Sequence, residues 1–419
     1  MNFIDLIELK KHKKVLSEKQ WQFFVDGVVS QTLPDYQISA FLMAIWFNGM
    51  TINELYFLTN AMLHSGKIIS FKDVYQKILV DKHSTGGIGD KVTIALAPIL
   101  ACFDLGVAKL SGRGLGFTGG TIDKLEALKI DTNISVEQAK KILVQNDMFV
   151  MGQTDFIAPA DKFLYALRDV TATTDSLPLI AASILSKKFA LETDHVFLDI
   201  KYGEGAFCRT KKIAQELGEL MLKLAKKFKR KVDYELSDMS HVLGRSIGNA
   251  IEFKEAADYL QNKSTVGTDF KTLMERIVVN ILVKTKRFKT EQTAKEQLNK
   301  VLKSKQAFNQ LCKWVACQGG DADKLVKDIY FKPKYKAEIK ALQSGIVNYY
   351  SPVDLAELGI DLGAGRKVKG QPLDFQAGIY LNVKDNEKVK KNNPVFTLYC
   401  SKPISSVLVK KASTMFKIS

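Results

Sequence analysis

Arginine, cysteine and long apolar runs are all scarce in this sequence, and each scarcity excludes something. The five cysteines, Cys102, Cys208, Cys312, Cys317 and Cys400, are an odd number without metal-ligand spacing, so a disulfide framework or zinc module is not expected and reduced thiols in packing roles are. No apolar stretch approaches the length of a membrane span. The segment from Met1 to Lys14 already carries Asp5, Glu8 and four lysines, which does not read as a secretory leader. The expectation is a cytoplasmic protein with no membrane partner. Behind the net charge of +16 stand only eight arginines against fifty-three lysines. The lysines sit in mixed runs such as 222–231 and 284–304, with acids and hydrophobes nearby and a single phenylalanine in each, no aromatic series for base stacking. Such runs read as the solvated faces of helices, so no nucleic-acid partner is expected. Two phosphate fingerprints are missing as well: there is no G-x-x-x-x-G-K-[ST], and the G-x-G-x-x-G at 114–119 lacks the following ribose-binding acid. What is left is an ordinary globular chain of 419 residues, 46% hydrophobic and long enough for two or three domains.

Within it lies a matched pair of segments. Residues 81–93 read Asp-Lys-His-Ser-Thr-Gly-Gly-Ile-Gly-Asp-Lys-Val-Thr, and residues 111–126 read Ser-Gly-Arg-Gly-Leu-Gly-Phe-Thr-Gly-Gly-Thr-Ile-Asp-Lys-Leu-Glu. Each follows an apolar run, passes through a glycine-rich turn dense in Ser and Thr, and enters a helical pattern, so strand, loop and helix occur twice in succession. Glycines let the backbone approach a ligand, successive N–H groups form a concavity for an anion, and a helix start adds partial positive charge. Lys82 and the hydroxyls of Ser84, Thr85, Thr93, Ser111 and Thr121 are suitable partners for a tetrahedral oxyanion. Inorganic phosphate is the obvious candidate.

These two motifs together resemble the thymidine phosphorylase and pyrimidine nucleoside phosphorylase family, whose members cleave pyrimidine nucleosides with phosphate. The resemblance implies phosphate binding by Lys82, Ser84, Thr93, Lys109, Ser111 and Thr121. A second constellation supports it. Residues 158–173 and 176–188 place Arg168, Ser183 and Lys187 in helical patterns, with Ser183 and Lys187 four apart and hence on one face. A planar ring with two carbonyls and an N–H between them needs donors at its oxygens, which these three offer. By resemblance they contact the pyrimidine, Tyr165 and Leu115 lie near it, and Phe207 packs on it. His83 corresponds to a residue beside a base carbonyl and is the candidate donor to the departing pyrimidine. His83, Arg168 and Lys187 are thus the catalytic candidates. Phe117, Tyr202, Glu204 and Cys208 depart from the family's usual residues.

Some relatives coordinate a monovalent cation at positions matching Gly89, Lys91, Leu243, Ser246 and Glu255. Lys91 stands where a hydroxyl residue is usual, and the expectation is that its ammonium takes the place of potassium against Glu255. No other cofactor is called for.

The remaining chain fills out an α/β protein with added domains. Residues 1–67 plus 156–192 are expected to form a small all-helical domain that carries the base side and, by resemblance, the contact of a homodimer. The apolar run Ser39 to Phe47 suits such an interface. Residues 68–155 plus 193–335 are expected to form a large α/β domain with a mixed sheet that binds phosphate. Residues 336–419, with β-like runs at Ile346–Tyr350, Ile379–Val383 and Val395–Tyr399, read as a separate small C-terminal β-rich α/β domain without catalytic residues. The expected reaction converts a pyrimidine nucleoside and phosphate into free pyrimidine and an α-pentose 1-phosphate, with hinge closure excluding water. Thymidine and deoxyuridine are the expected substrates, with uridine beside them. The alternative is a phosphoribosyltransferase of similar architecture, which needs acids for magnesium; Asp81, Asp90 and Asp123 do not form a convincing pair.

Overall fold

A computed structural model of the chain describes residues 1–114, 119–368 and 370–419. Four helices open it: α1 (Phe3–Lys11), α2 (Glu18–Val29), α3 (Asp35–Asn48) and α4 (Ile52–His64). Local chemistry sets their starts. Thr51 and Glu54, for example, satisfy each other's N–H groups across the first turn of α4 at 3.2 and 2.9 Å. Phe3, Trp21, Phe24 and Phe41, all buried, meet with ring centroids as close as 4.8 Å and form the centre of this layer. Lys10 and Glu54 pair inside it at 2.8 Å.

There follow β1 (Leu79–Ser84), α5 (Val92–Ala101), β2 (Gly106–Ser111), α6 (Thr121–Glu126), α7 (Val136–Asn146) and β3 (Met148–Gly152). Next come α8 (Pro159–Asp169), α9 (Leu177–Phe189), β4 (His195–Tyr202), α10 (Lys211–Lys227) and β5 (Lys231–Asp238). The chain continues through β6 (Ser246–Gly248), α11 (Ala250–Leu260), α12 (Thr268–Lys284), α13 (Glu291–Lys303), α14 (Gln306–Cys317) and α15 (Ala322–Val326). It ends with β7 (Tyr335–Lys340), β8 (Gly345–Tyr349), α16 (Pro352–Leu362), β9 (Gly378–Leu381), β10 (Lys388–Val389), β11 (Pro394–Cys400), α17 (Ser406–Ser413) and β12 (Phe416–Ile418).

The chain divides into two compact units. One comprises Met1–Gln76, Gln153–Leu198 and Lys212–Tyr234; the other comprises Lys77–Gly152, Asp199–Lys211 and Glu235–Ser419. The first unit therefore takes in α10 and the opening residues of β4 and β5, beyond the 1–67 plus 156–192 read from the sequence.

A five-stranded sheet has the order β3-β2-β1-β4-β5, with β1 parallel to β2 and β2 parallel to β3. Chain order runs outward on either side of the β1 and β4 neighbours. That makes the loops after β1 and β4 flank a topological switch point, where open α/β sheets bind their ligands. Helix α5, apolar apart from Thr93, is buried at every position, as a helix covered on all sides must be.

Two antiparallel sheets finish the second unit, in the orders β10-β8-β12 and β6-β9-β11-β7. The β-like runs read from the sequence correspond to β8, β9 and β11, whereas β7, β10, β12, α16 and α17 were not anticipated there. At β6 the α/β region contributes to the C-terminal sheet: Ile247 pairs with Ile379, so β6 forms the edge of that sheet. Ile88, Val242, Ile247, Leu358, Ile379 and Phe396 accordingly belong to one buried cluster.

Candidate active site

In the second unit, β1 delivers Lys82, His83 and Ser84 to the end of the sheet. Strand alternation puts Lys82 and Ser84 on one face and His83 on the other. Lys82 is buried, and its Nζ lies 2.9 Å from Asp199 Oδ2 on β4, with no aligned hydrogen bond among the described residues. Lys201 Nζ reaches the same oxygen at 2.7 Å, and the Ser237 hydroxyl donates to the other at 2.5 Å. Buried charges are stable only in company, and here two ammonium groups share one carboxylate oxygen, with the Asp90 carboxylate as a second counter-charge. Burial by itself would lower the Lys82 ammonium pKa, but Asp199 and Asp90 hold it above the ordinary lysine value. Burial would raise the Asp90 carboxyl, but Lys201 and Lys82 hold it below the ordinary range. Asp90 also accepts from the Ser84 hydroxyl and from the Val92 N–H at 3.2 Å, so it fastens the loop to the start of α5.

Thr93, the second residue of α5, is buried in the turn where backbone N–H groups lack helical acceptors. Ser111 closes β2 and Thr121 opens α6. Lys109 lies on β2, two residues before Ser111. Its ammonium is buried and donates to the carbonyl of Lys82 at 2.6 Å, which makes it a brace between β2 and β1. Phe207, in the loop after β4, is 48% exposed, which leaves part of its ring accessible to a ligand. Leu115 and Phe117 lie outside the described residues.

Four residues here were not singled out in the sequence. Asp199 and Lys201, two apart in an apolar strand, were legible as a charged pair buried on one face. Lys124 Nζ pairs with Glu252 at 3.0 Å and donates to the carbonyls of Asp90 and Gly119 at 3.1 and 3.2 Å, tying both glycine-rich loops to α11. Arg366, from the C-terminal region, meets Asp123 at 2.8 Å, while Asp123 also takes the Arg113 guanidinium at 3.2 Å and the Gly114 N–H at 2.7 Å. No local pattern announces that contact across 243 positions. The Glu204 departure has a local account too: its carboxylate accepts from the Ser351 hydroxyl at 2.5 Å at the start of α16.

The first unit holds the other group. Asp161, Tyr165 and Arg168 fall on one face of α8, since they are four and three apart. Ser183 and Lys187 do the same on α9. Lys187 Nζ lies 2.5 Å from Asp161 Oδ2, 3.3 Å from Ser183 Oγ and 5.8 Å from the Tyr165 ring centre. The Arg168 guanidinium carbon is 6.0 Å from that same ring. All four residues named from the sequence are thus together, and Asp161 is a fifth that the sequence reading passed over. Arg168 is buried and spends three N–H groups on the carbonyls of Thr173, Thr174 and Leu179 at 3.1, 2.8 and 3.2 Å. A guanidinium has five, so it orders the segment that leads into α9 and has two N–H groups not committed to these carbonyls. Burial holds the Tyr165 phenol above its ordinary pKa, so it is a neutral donor near pH 7.

The comparisons with known proteins define the class first. Residues 76–308 match the family model for the glycosyl transferase family, a/b domain, and residues 4–66 match that for its helical bundle domain. Residues 346–419 match the pyrimidine nucleoside phosphorylase C-terminal domain. The chain is 60% identical to a thymidine phosphorylase of Mycoplasmoides pirum over 100% of both chains, and 53% identical to that of Mycoplasma genitalium over 98% of both. It is 39% identical to a pyrimidine-nucleoside phosphorylase of Bacillus subtilis, covering 100% of this chain and 96% of the relative. Among solved structures, anthranilate phosphoribosyltransferase from Thermus thermophilus superposes with a TM-score of 0.59 at 15% identity, over 75% of this chain and 99% of that one, a likeness of fold alone. The chain belongs to the thymidine phosphorylase and pyrimidine-nucleoside phosphorylase family.

Proposed function

We propose that the protein carries out phosphorolysis of pyrimidine nucleosides, taking thymidine and deoxyuridine and also uridine. The observation that carries this reading is the full-length likeness, 60% over all 419 residues, to a protein named thymidine phosphorylase. The two side-chain groups supply the chemistry it needs. Breaking an N-glycosidic bond places positive charge on the anomeric carbon and negative charge on the leaving base, and a catalyst must meet both together. Phosphate held by Lys82, Ser84, Thr93, Ser111 and Thr121 attacks the anomeric carbon through one oxygen. As that C–O bond forms, the C–N bond breaks and its electron pair leaves with the ring nitrogen. Arg168, Ser183 and Lys187 take the ring's developing charge, and His83 supplies the proton that yields neutral pyrimidine. Attack from the far side inverts the carbon and gives the α-pentose 1-phosphate. Phosphorolysis requires both groups to act on one nucleoside.

A phosphoribosyltransferase reading draws on the fold alone. Its magnesium needs uncommitted carboxylates, whereas Asp123 is already held by Arg113, Arg366 and the Gly114 N–H. The deciding assay is release of free base from thymidine, deoxyuridine, uridine and inosine, each with and without phosphate. The expected result is release from the three pyrimidine nucleosides only when phosphate is present. Release from inosine alone, or release indifferent to phosphate, overturns the reading.

We place the protein in the cytoplasm as a homodimer under the same proposal. Its five free thiols suit a reducing compartment, and no helix among the described residues is long and apolar enough to cross a membrane. On α3, Tyr36 and Phe47 are 70% and 72% exposed beside a half-exposed Trp46, an aromatic face that suits a second copy. Sedimentation at twice the 46.8 kDa chain mass is the expected result.

A further inference from the structure

Lys91 caps the N-terminus of α5, and its side chain is wholly withdrawn from solvent. Its Nζ lies 2.7 Å from the Leu243 carbonyl, 2.7 Å from Glu255 Oε2 and 3.4 Å from the Ser246 carbonyl. Gly89 closes the same cage from the loop side. It sits at φ +78°, and a Cβ there would come within 2.5 Å of the Leu243 oxygen and 3.2 Å of the Ser246 oxygen. Glu255, also buried, accepts the N–H groups of Arg245, Ser246 and Gly267 at 2.8, 2.9 and 3.1 Å. Burial would raise its carboxyl pKa, but Lys91 and these N–H groups hold it below the ordinary value.

These residues do not fit a resident monovalent cation, because an ammonium already stands among the oxygens that would ligate one. Charge balance leads to the same conclusion. The neighbouring ammonium of Lys384, on the Val242 and Gly244 carbonyls at 2.5 and 2.7 Å, has its own carboxylate in Asp269 at 2.9 Å. Two ammonium groups thus face two carboxylates, and no uncompensated negative charge is left to draw in another cation. An ammonium carries the single charge of potassium and donates to oxygens at comparable range, but it is tethered and cannot be washed out.

We propose that Lys91 is a built-in replacement for a monovalent cation. It pins the first glycine-rich loop to residues 243–246, and so to the strand that borders the C-terminal sheet, and it makes the protein independent of potassium. The turnover arm of the test rests on the phosphorolysis reading; the melting arm does not, so the two can fail separately. Thermal midpoint and turnover are measured in potassium chloride and in tetramethylammonium chloride at matched ionic strength, for the wild type and for Lys91→Ala. A bound ion stabilises the folded state in proportion to the logarithm of its concentration, so a resident ion reveals itself as a rising midpoint. The wild type is expected to show the same midpoint and turnover in both salts. Lys91→Ala is expected to melt lower in tetramethylammonium and to recover progressively as potassium or ammonium ions, which can enter the vacated cage, are added. A wild-type midpoint that climbs with the logarithm of potassium concentration, or a wild-type turnover that climbs saturably with it, overturns the proposal, as does a Lys91→Ala protein that melts like the wild type. If the variant does not fold, the wild-type titration decides alone.

Discussion

Replacing Lys187 with alanine is expected to lower kcat/KM for thymidine by about 10²–10³-fold, the usual effect of removing one donor aimed at developing negative charge. The loss has two components that the structure allows to be separated. Lys187 is the ion-pair partner of Asp161 at 2.5 Å, and Asp161 is 3% exposed on its side chain. Removing the lysine alone strips a buried carboxylate of its ion-pair partner, which costs about 3–5 kcal/mol when such a pair is fully enclosed and less here, because the lysine is 19% exposed and the Arg168 guanidinium remains nearby. The single variant should therefore melt lower as well as turn over slowly. Adding Asp161→Asn removes the stranded charge and should restore most of the melting temperature without restoring turnover. A double variant that regains activity along with stability would show Lys187 to be structural, and the base-side assignment would then fail.

Lys82→Met is expected to raise the KM for phosphate and to lower kcat/KM by about 10²-fold, through loss of a cation on the attacking anion. Its stability effect should be milder than that of Lys187→Ala. Asp199 keeps Lys201 at 2.7 Å and the Ser237 hydroxyl at 2.5 Å, so no carboxylate is abandoned. Lys201→Met is the informative control, since it removes a neighbour of the same charge on the same carboxylate. If Lys82 touches phosphate, its loss should weaken phosphate affinity far more than the loss of Lys201. Equal losses from the two would show that only the summed charge of the network matters, and would remove Lys82 from the anion's direct partners.

Much of this was legible in the chain itself. The strand, loop and helix repeat at residues 81–126 could be read because glycine-rich turns between apolar runs have few other uses, and its elements are β1 to α6. The grouping of Tyr165, Arg168, Ser183 and Lys187 could be read because helical spacing brings residues three and four apart onto one face. Asp161 obeys the same rule and was overlooked, since an acid beside Lys162 looks like a surface charge until its burial is known. Lys109 has a contact that spacing does not show: inside a parallel sheet its ammonium donates to a carbonyl of the neighbouring strand.

Local sequence was enough for the elements from β1 to α6 and for α8 and α9, for where the glycine-rich turns fall and for which residue types stand in them, because spacing and turn chemistry act over a few residues. Tertiary structure alone decided which distant charges meet: Lys82 with Asp199, Asp123 with Arg366 and Lys91 with Glu255. It likewise decided that Ile247 pairs with Ile379. No rule of local spacing reaches across so many positions. Burial selected those pairs, since a charge or a strand edge taken out of water must find its complement wherever the chain has carried it.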